Sequence, residues 1–348
     1  MPTWSGGISS GTLPTNCPGP MSEFDLTLDR ERLAEVRHGS VLVTTEPAVF
    51  RIQGPGALTC MQGLLTNDLV KPGDNSLVYG ALLTPKGALV VDYWVLRQAD
   101  TLTLVAPRSG HEVSLDLFRR QLPPRLAKVI DLTGSAQVAW LIGAHGFQTL
   151  AEADVGMPEA SGRVASVGGE VSPVALALAP ETAPFVALAV GAAPAVAALG
   201  ARLVSAGALV GHEQDLHAAR ILCGWPALGA EIDERTLPQE VRYDQIGGVS
   251  YTKGCYTGQE TVARLHFRGH TNRELRGLRW RRAHPLESRT IHKGEREVGS
   301  VRSTLSLEDR AIGLGLIRRE VTVGEELLAG GQPATVVALP FGPEDLDG

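Results

Sequence analysis

The β-prone runs of this chain come in adjacent pairs joined by short turn signals. They do not alternate with helical runs. Leu77–Leu83 and Ala88–Leu96 are separated only by Thr84-Pro85-Lys86-Gly87, a hairpin signature. Ser40–Thr45 reads as a strand, Glu46-Pro47 as a turn and Ala48–Gln53 as a second strand. A doubly wound parallel sheet needs strict βαβ alternation, so this pattern points to an α+β fold.

Helical periodicity appears between the pairs. It is expected from Met21 through Arg30 to His38, around Leu58, Met61, Leu64 and Leu65, and along Val113, Leu117, Phe118 and Leu122. Thr101–Ala106, Lys128–Leu132 and Gln137–Ile142 read as further strands, Pro194–Ala206 and His212–Cys223 as helices. Residues 150 to 210 are rich in Ala, Val and Gly and carry little signal beyond packing. From Thr271 short strands and turns alternate, as in a small antiparallel barrel. The expected division is a disordered tail at 1–20, α+β regions at 21–145 and 146–270, and a β-barrel at 271–348.

With 348 residues, 43% hydrophobic and 20% charged, the chain has the composition of a multi-domain globular protein. A formal net charge of −6 argues against a dedicated nucleic-acid binder. Cys17, Cys60, Cys223 and Cys255 are scattered, without CxxC or zinc-type spacing, so reduced thiols, a cytoplasmic setting and no metal site are expected. The apolar stretch from Phe185 to Ala201 is mostly alanine broken by Gly191 and Pro194; it reads as a buried helix and not a membrane span. The first twenty residues lack the charged and apolar regions of a signal peptide.

The densest run of unusual residues is Lys253-Gly254-Cys255-Tyr256-Thr257-Gly258-Gln259-Glu260. Gly254 and Gly258 are expected to supply positive φ or close backbone approach on either side of the thiol. Lys253 is placed to favour thiolate, and Gln259 and Glu260 stand at a helix start. Taken alone, the run is also compatible with a Gly-rich turn holding an incidental cysteine. Beyond it, Arg264, His266 and Arg268 alternate with Ala263, Leu265 and Phe267, the pattern of a half-buried strand with a cationic outer face. Arg273, Arg276, Arg279, Arg281 and Arg282 follow. This run reads as a solvated face or as an anion site for a polyanion such as a tRNA or for an acidic partner.

The octapeptide resembles the K-G-C-Y-x-G-Q-E signature of the folate-binding YgfZ family at all seven specified positions. The likeness extends to Arg51-Ile52-Gln53-Gly54, Gln62 to Asp68, Thr84 to Gly87 with Asp92, and Gly299 to Ser303. Arg220, Gly229 to Asp233 and Pro238-Gln239-Glu240 resemble a block shared with the glycine-cleavage aminomethyltransferase. The resemblance implies a three-domain ring binding tetrahydrofolate or a derivative, with Tyr79, Asp92 and Arg220 at the folate-contacting positions. It also implies support of iron–sulfur cluster assembly or repair in client proteins, tRNA-modifying ones among them, with Cys255 as the functional thiol. The aminomethyltransferase's T-G-E-D-G-x-E pterin grip has no counterpart here around Leu178 to Val190, where Glu181 is the sole acidic residue. A folate-dependent aminomethyltransferase is the alternative, and a docking module with an idle thiol a third reading. No catalytic constellation is legible.

Overall fold

The computed structural model describes residues 24–169, 172–282 and 285–346. The expected tail at 1–20 lies outside them. Three sheets form the frame. The first has five antiparallel strands in the order Ser76–Leu83, Leu89–Gln98, Thr101–Ala106, Ala48–Gln53, Lys128–Asp131. The second has six, in the order Leu209–Val210, Val41–Thr45, Ala136–Ile142, Ala187–Ala192, Val174–Leu178, Val164–Val167, with only the first pair parallel. This sheet draws strands from both sides of residue 145.

The third closes. Arg296–Ser306, Thr290–Lys293, Glu326–Ala329, Gln332–Val337, Arg273–Trp280 and Ala311–Arg318 pair antiparallel in that order, and the last pairs back to the first. The result is the antiparallel barrel expected in the C-terminal region, filled by Leu278, Trp280, Ile291, Val301 and Ile317. Closure leaves none of its six strands as an edge, while Asp25–Thr27 adds in parallel along Arg296–Ser306.

The hairpin 76–98 reads as a nearly continuous apolar run because both its faces are covered. Tyr79, Ala81 and Leu83 enter one core with Leu89, Trp94 and Leu96. Val78 and Leu82 enter a second core with Val91, Tyr93 and Val95. Helix Arg30–His38 is tied to helix Glu213–Cys223 by Arg32, whose guanidinium donates to both oxygens of Asp215 at 2.8 and 2.6 Å. The charge pair fixes the two helices against the second sheet.

Four expectations are corrected. Arg264, His266 and Arg268 lie on a helix, Gln259–Arg268, and not on a strand. Val262 is its one buried residue and Leu265, three positions on, is partly covered, so the apolar residues share one face at helical spacing. Phe185 to Ala201 is not one helix: Ala187–Ala192 is an interior strand, and helix Ala193–Ser205 starts beside Pro194, whose fixed φ suits a first turn. The described residues between 150 and 210 contain four strands, three of them built of small side chains that carry packing but little propensity. Val113 is 37% exposed, and Ser114 faces inward instead. Its hydroxyl meets Tyr93 at 2.6 Å and donates to Gly110 O at 2.6 Å. No helix of the described residues is long and apolar enough to cross a membrane.

Candidate functional site

Side chains two apart on a strand share a face, so Asp92, Trp94 and Leu96 point the same way. Trp94 is directly opposite Tyr79, and Asp92 is opposite Ala81. Tyr79 and Asp92 are therefore diagonal neighbours on one face. Tyr79 OH donates to Asp92 Oδ2 at 2.8 Å. Tyr243 OH lies 3.1 Å from Tyr79 OH, and with the Tyr79 proton given to the carboxylate, Tyr243 is the donor.

Asp92 Oδ1 is buried without any hydrogen-bond partner. Burial raises this carboxyl to about 6, against which the Tyr79 hydrogen bond works. Burial, reinforced by the Asp92 charge, also pushes the Tyr79 and Tyr243 phenols well above their ordinary value, so both remain neutral donors. Aromatic rings enclose the carboxylate. Trp225 lies 4.8 Å from Tyr79 and stacks on Trp94 at 5.5 Å and 18°. Phe185 meets the Trp94 edge at 4.8 Å. A half-satisfied carboxylate among tryptophans is costly to keep folded, which marks it as a site for an incoming donor.

Arg220 does not face this carboxylate. Its Nη1 donates to Glu231 Oε2 at 3.0 Å and Trp225 O at 3.3 Å, and its Nη2 to Ser303 Oγ at 2.8 Å. Glu231 is fully buried and also accepts from Ala227 N and Ser303. The guanidinium thus has partners other than the folate carboxylate expected of it, and reaches the aromatic cluster only through Trp225. Glu181 is exposed on the turn preceding Phe185.

The octapeptide forms a loop against the hairpin turn. Gly258, at φ +82°, closes on it: a Cβ there would stand 2.6 Å from Thr84 O. Gly87, at φ +88°, would meet Thr261 Cβ at 2.8 Å. The two glycines let the two turns touch. Gly254 has open space around it and no positive φ, so the expectation of two constrained glycines holds for Gly258 only.

Lys253 Nζ donates to the carbonyls of Gln62, Leu65 and Asn67 at 2.6, 2.6 and 2.9 Å. All three of its protons are engaged, so the ammonium clamps the Thr66-Asn67-Asp68 loop. Desolvation lowers it to about 8. Asn67 Nδ2 in turn donates to Tyr79 O at 2.8 Å, which links the octapeptide's anchor to the Tyr79 strand. Tyr256 is buried, with Lys253 Nζ 5.1 Å from its ring centroid. Gln259 and Glu260 open the Gln259–Arg268 helix, as expected.

Among the described cysteines only Cys255 is exposed; Cys60 and Cys223 are partly covered. Burial pushes the Cys223 thiol up to about 11, which makes it inert. Among the described residues no group of His, Cys, Asp and Glu is arranged to hold a metal. The arginine run divides. Arg273, Arg276, Arg279 and Arg281 are ion-paired to Glu240, Glu274, Asp345 and Glu326, whereas Arg264 and Arg268 have no carboxylate partner among the described residues.

Sequence reasoning missed Tyr243, Trp94, Trp225 and Phe185. Aromatics are only 5% of the chain, so four of them around one buried carboxylate is a concentration, but their sequence spacing gives no hint of it.

Comparison with known proteins fits this architecture. A family model described as the GCVT N-terminal domain matches residues 26–159. The chain is 28% identical over 286 residues to the tRNA-modifying protein YgfZ of Escherichia coli, covering 80% of this chain and 86% of that protein. It is 28% identical over 311 residues to the protein of the same name from Cronobacter sakazakii, covering 86% and 90%. The glycine cleavage system aminomethyltransferase T from Bartonella henselae superposes with a TM-score of 0.76 over 90% of this chain and 89% of that one, at 18% identity. The last likeness is one of fold. Together these bear out the resemblance to YgfZ and GcvT proteins read from the octapeptide.

Proposed function

We propose that this chain is a tetrahydrofolate-binding accessory protein that supports assembly or repair of iron–sulfur clusters in client enzymes, tRNA-modifying ones among them, with Cys255 as its functional thiol. The observation that carries the folate part is the unpaired Asp92 Oδ1 within an aromatic enclosure. The pyrimidinone ring of a reduced pterin is planar and edged with N–H donors, so the residues fit it. Asp92 would accept an N–H, the stacked Trp94–Trp225 pair would supply an aromatic wall for the ring, and Tyr79 and Tyr243 would hold the carboxylate in place. Bound tetrahydrofolate supplies a nucleophilic nitrogen that accepts one-carbon units.

The chain's own part is then positional and protonic. With a carboxyl near 6, Asp92 can hold or release a proton at Oδ1 close to neutral pH. Arg220 acts as a positioning residue by fixing the Trp225 carbonyl. Phe185 covers Trp94, so entry of a ligand displaces the turn on which the relative's acidic pterin grip is missing. Cys255 stands exposed on the octapeptide loop, and that loop is braced by Lys253 and Gly258. The thiol is thereby held beside the folate-bearing hairpin yet open to a partner. The names of the YgfZ relatives supply the link to tRNA modification.

The test is complementation of a strain lacking its own copy, read by the activity of an iron–sulfur tRNA-modifying enzyme. Cys255→Ser and Asp92→Asn are each expected to lose function while accumulating as folded protein. Full function of Cys255→Ser would overturn the thiol assignment and leave the docking reading.

A further inference from the structure

A half-open cavity of about 370 Å³ lies away from Asp92, between the Gln259–Arg268 helix, the 239–245 turn and the first barrel strand. That volume suits a small molecule. Two of its lining side chains each leave one buried polar atom unpartnered, Gln239 Oε1 and Arg276 Nε. The amide nitrogen of Gln239 and one end of the Arg276 guanidinium are engaged. Gln239 Nε2 donates to Tyr251 OH at 3.2 Å and Val262 O at 2.9 Å, and Arg276 Nη2 donates to Glu274 Oε2 at 2.5 Å. Both unpartnered atoms are buried, but the Arg276 guanidinium keeps Nη1 without a hydrogen-bond partner among the described residues, so this lining side chain offers a donor.

Asp244 adds a carboxylate that accepts from Tyr251 OH and lies 3.6 Å from His266 Nδ1. The His266 ring, also in the wall, stacks on Tyr251 at 3.6 Å and 15°. A simple anion would leave Asp244 unused, and a simple cation would leave Arg276 unused. A planar heteroaromatic edge that both donates and accepts uses all of them, and the stacked rings suit its face. The helix that forms this wall also carries Arg264 and Arg268, exposed and unpaired among the described residues, and Phe267, 68% exposed.

The geometry points to a nucleotide-binding site: the base in the cavity, the phosphate on Arg264 and Arg268. Guanine matches best, since its adjacent N–H groups suit a carboxylate and its O6 suits a guanidinium. The site is separate from Tyr79 and Asp92 and does not depend on the folate reading. The shared chemistry serves a free nucleotide or a base in single-stranded RNA.

The test uses the full chain. GMP, AMP, CMP and UMP are titrated by calorimetry, and a fluorescein-labelled single-stranded RNA dodecamer by anisotropy over a salt series. The variants are Asp244→Asn, Arg276→Gln and the pair Arg264→Gln with Arg268→Gln, with thermal unfolding as the check on folding. Asp244 is exposed, so its variant keeps the site testable if Arg276→Gln does not fold. Saturable binding with GMP tightest, weakened at least about tenfold by either cavity variant, is expected; a tenfold loss is about 1.4 kcal/mol. The double arginine variant should weaken all nucleotides alike and shrink the RNA salt slope by about 1.4. Response to mononucleotides alone identifies a free nucleotide as the source, and RNA binding that is also sensitive to the cavity variants identifies a strand. Absence of saturable binding into the millimolar range, or binding indifferent to the cavity variants, overturns the site.

Discussion

Asp92→Asn separates stability from ligand binding at one position. A carboxyl near 6 in the folded chain against 3.8 in the unfolded one is a shift of about 2 units, or about 3 kcal/mol of cost once the group is ionised. The sign follows from proton counting. Between pH 4 and 6 the folded state binds more protons than the unfolded state, so the stability owed to this group is full below pH 4. It is lost as pH rises through 6. The amide removes that charge but leaves an N–H₂ facing the position of Oδ1, which costs about 1–2 kcal/mol. The net expectation at pH 7.5 is a variant more stable than wild type by about 1–2 kcal/mol, or about 2–4 °C in Tm. Calorimetric melting of both proteins at several pH values should give a difference that opens between pH 4 and 6 and then stays constant. A destabilised variant at pH 7.5, or a difference independent of pH, would refute the reasoning.

The other expectations concern the loop, the ion pair and the thiol. Gly258→Ala should destabilise by about 2 kcal/mol or more, since its Cβ strikes Thr84 O at a positive φ, while Gly254→Ala should stay within about 0.5 kcal/mol; thermal melts compare them. Arg220→Ala should cost about 3–5 kcal/mol by stranding the buried Glu231, and adding Glu231→Gln should recover much of this in a denaturation series. Cys255→Ser should leave Tm within about 1 °C and folate affinity unchanged while abolishing complementation, because the exposed thiol packs against little.

Much of the scaffold was legible because its strands are rich in β-branched residues and its turns carry Pro and Gly. The hairpin around Thr84–Gly87, the strand Ala48–Gln53 and the barrel all follow from local pattern. Ala187–Ala192 was not legible, because alanine favours helix and only its neighbours 136–142 and 174–178 make it a strand. The helix Gln259–Arg268 misled through six residues of accidental alternation, which helical spacing of Val262 and Leu265 outweighs. At the site, the Tyr79–Asp92 pairing follows from the hairpin register once the turn is known. Tyr243 and Trp225 arrive from far along the chain, and no local pattern encodes them. Lys253 shows a further limit: its place two residues before Cys255 gives no hint that its side chain also clamps the carbonyls of a loop nearly two hundred residues earlier.

The most direct measurement of the central claim is calorimetric titration of tetrahydrofolate into wild type, Asp92→Asn and Cys255→Ser at pH 7.5. The account predicts saturable binding to wild type and to Cys255→Ser, weakened at least about tenfold in Asp92→Asn, equivalent to about 1.4 kcal/mol. Absence of binding to wild type, or equal affinity in all three proteins, would contradict it.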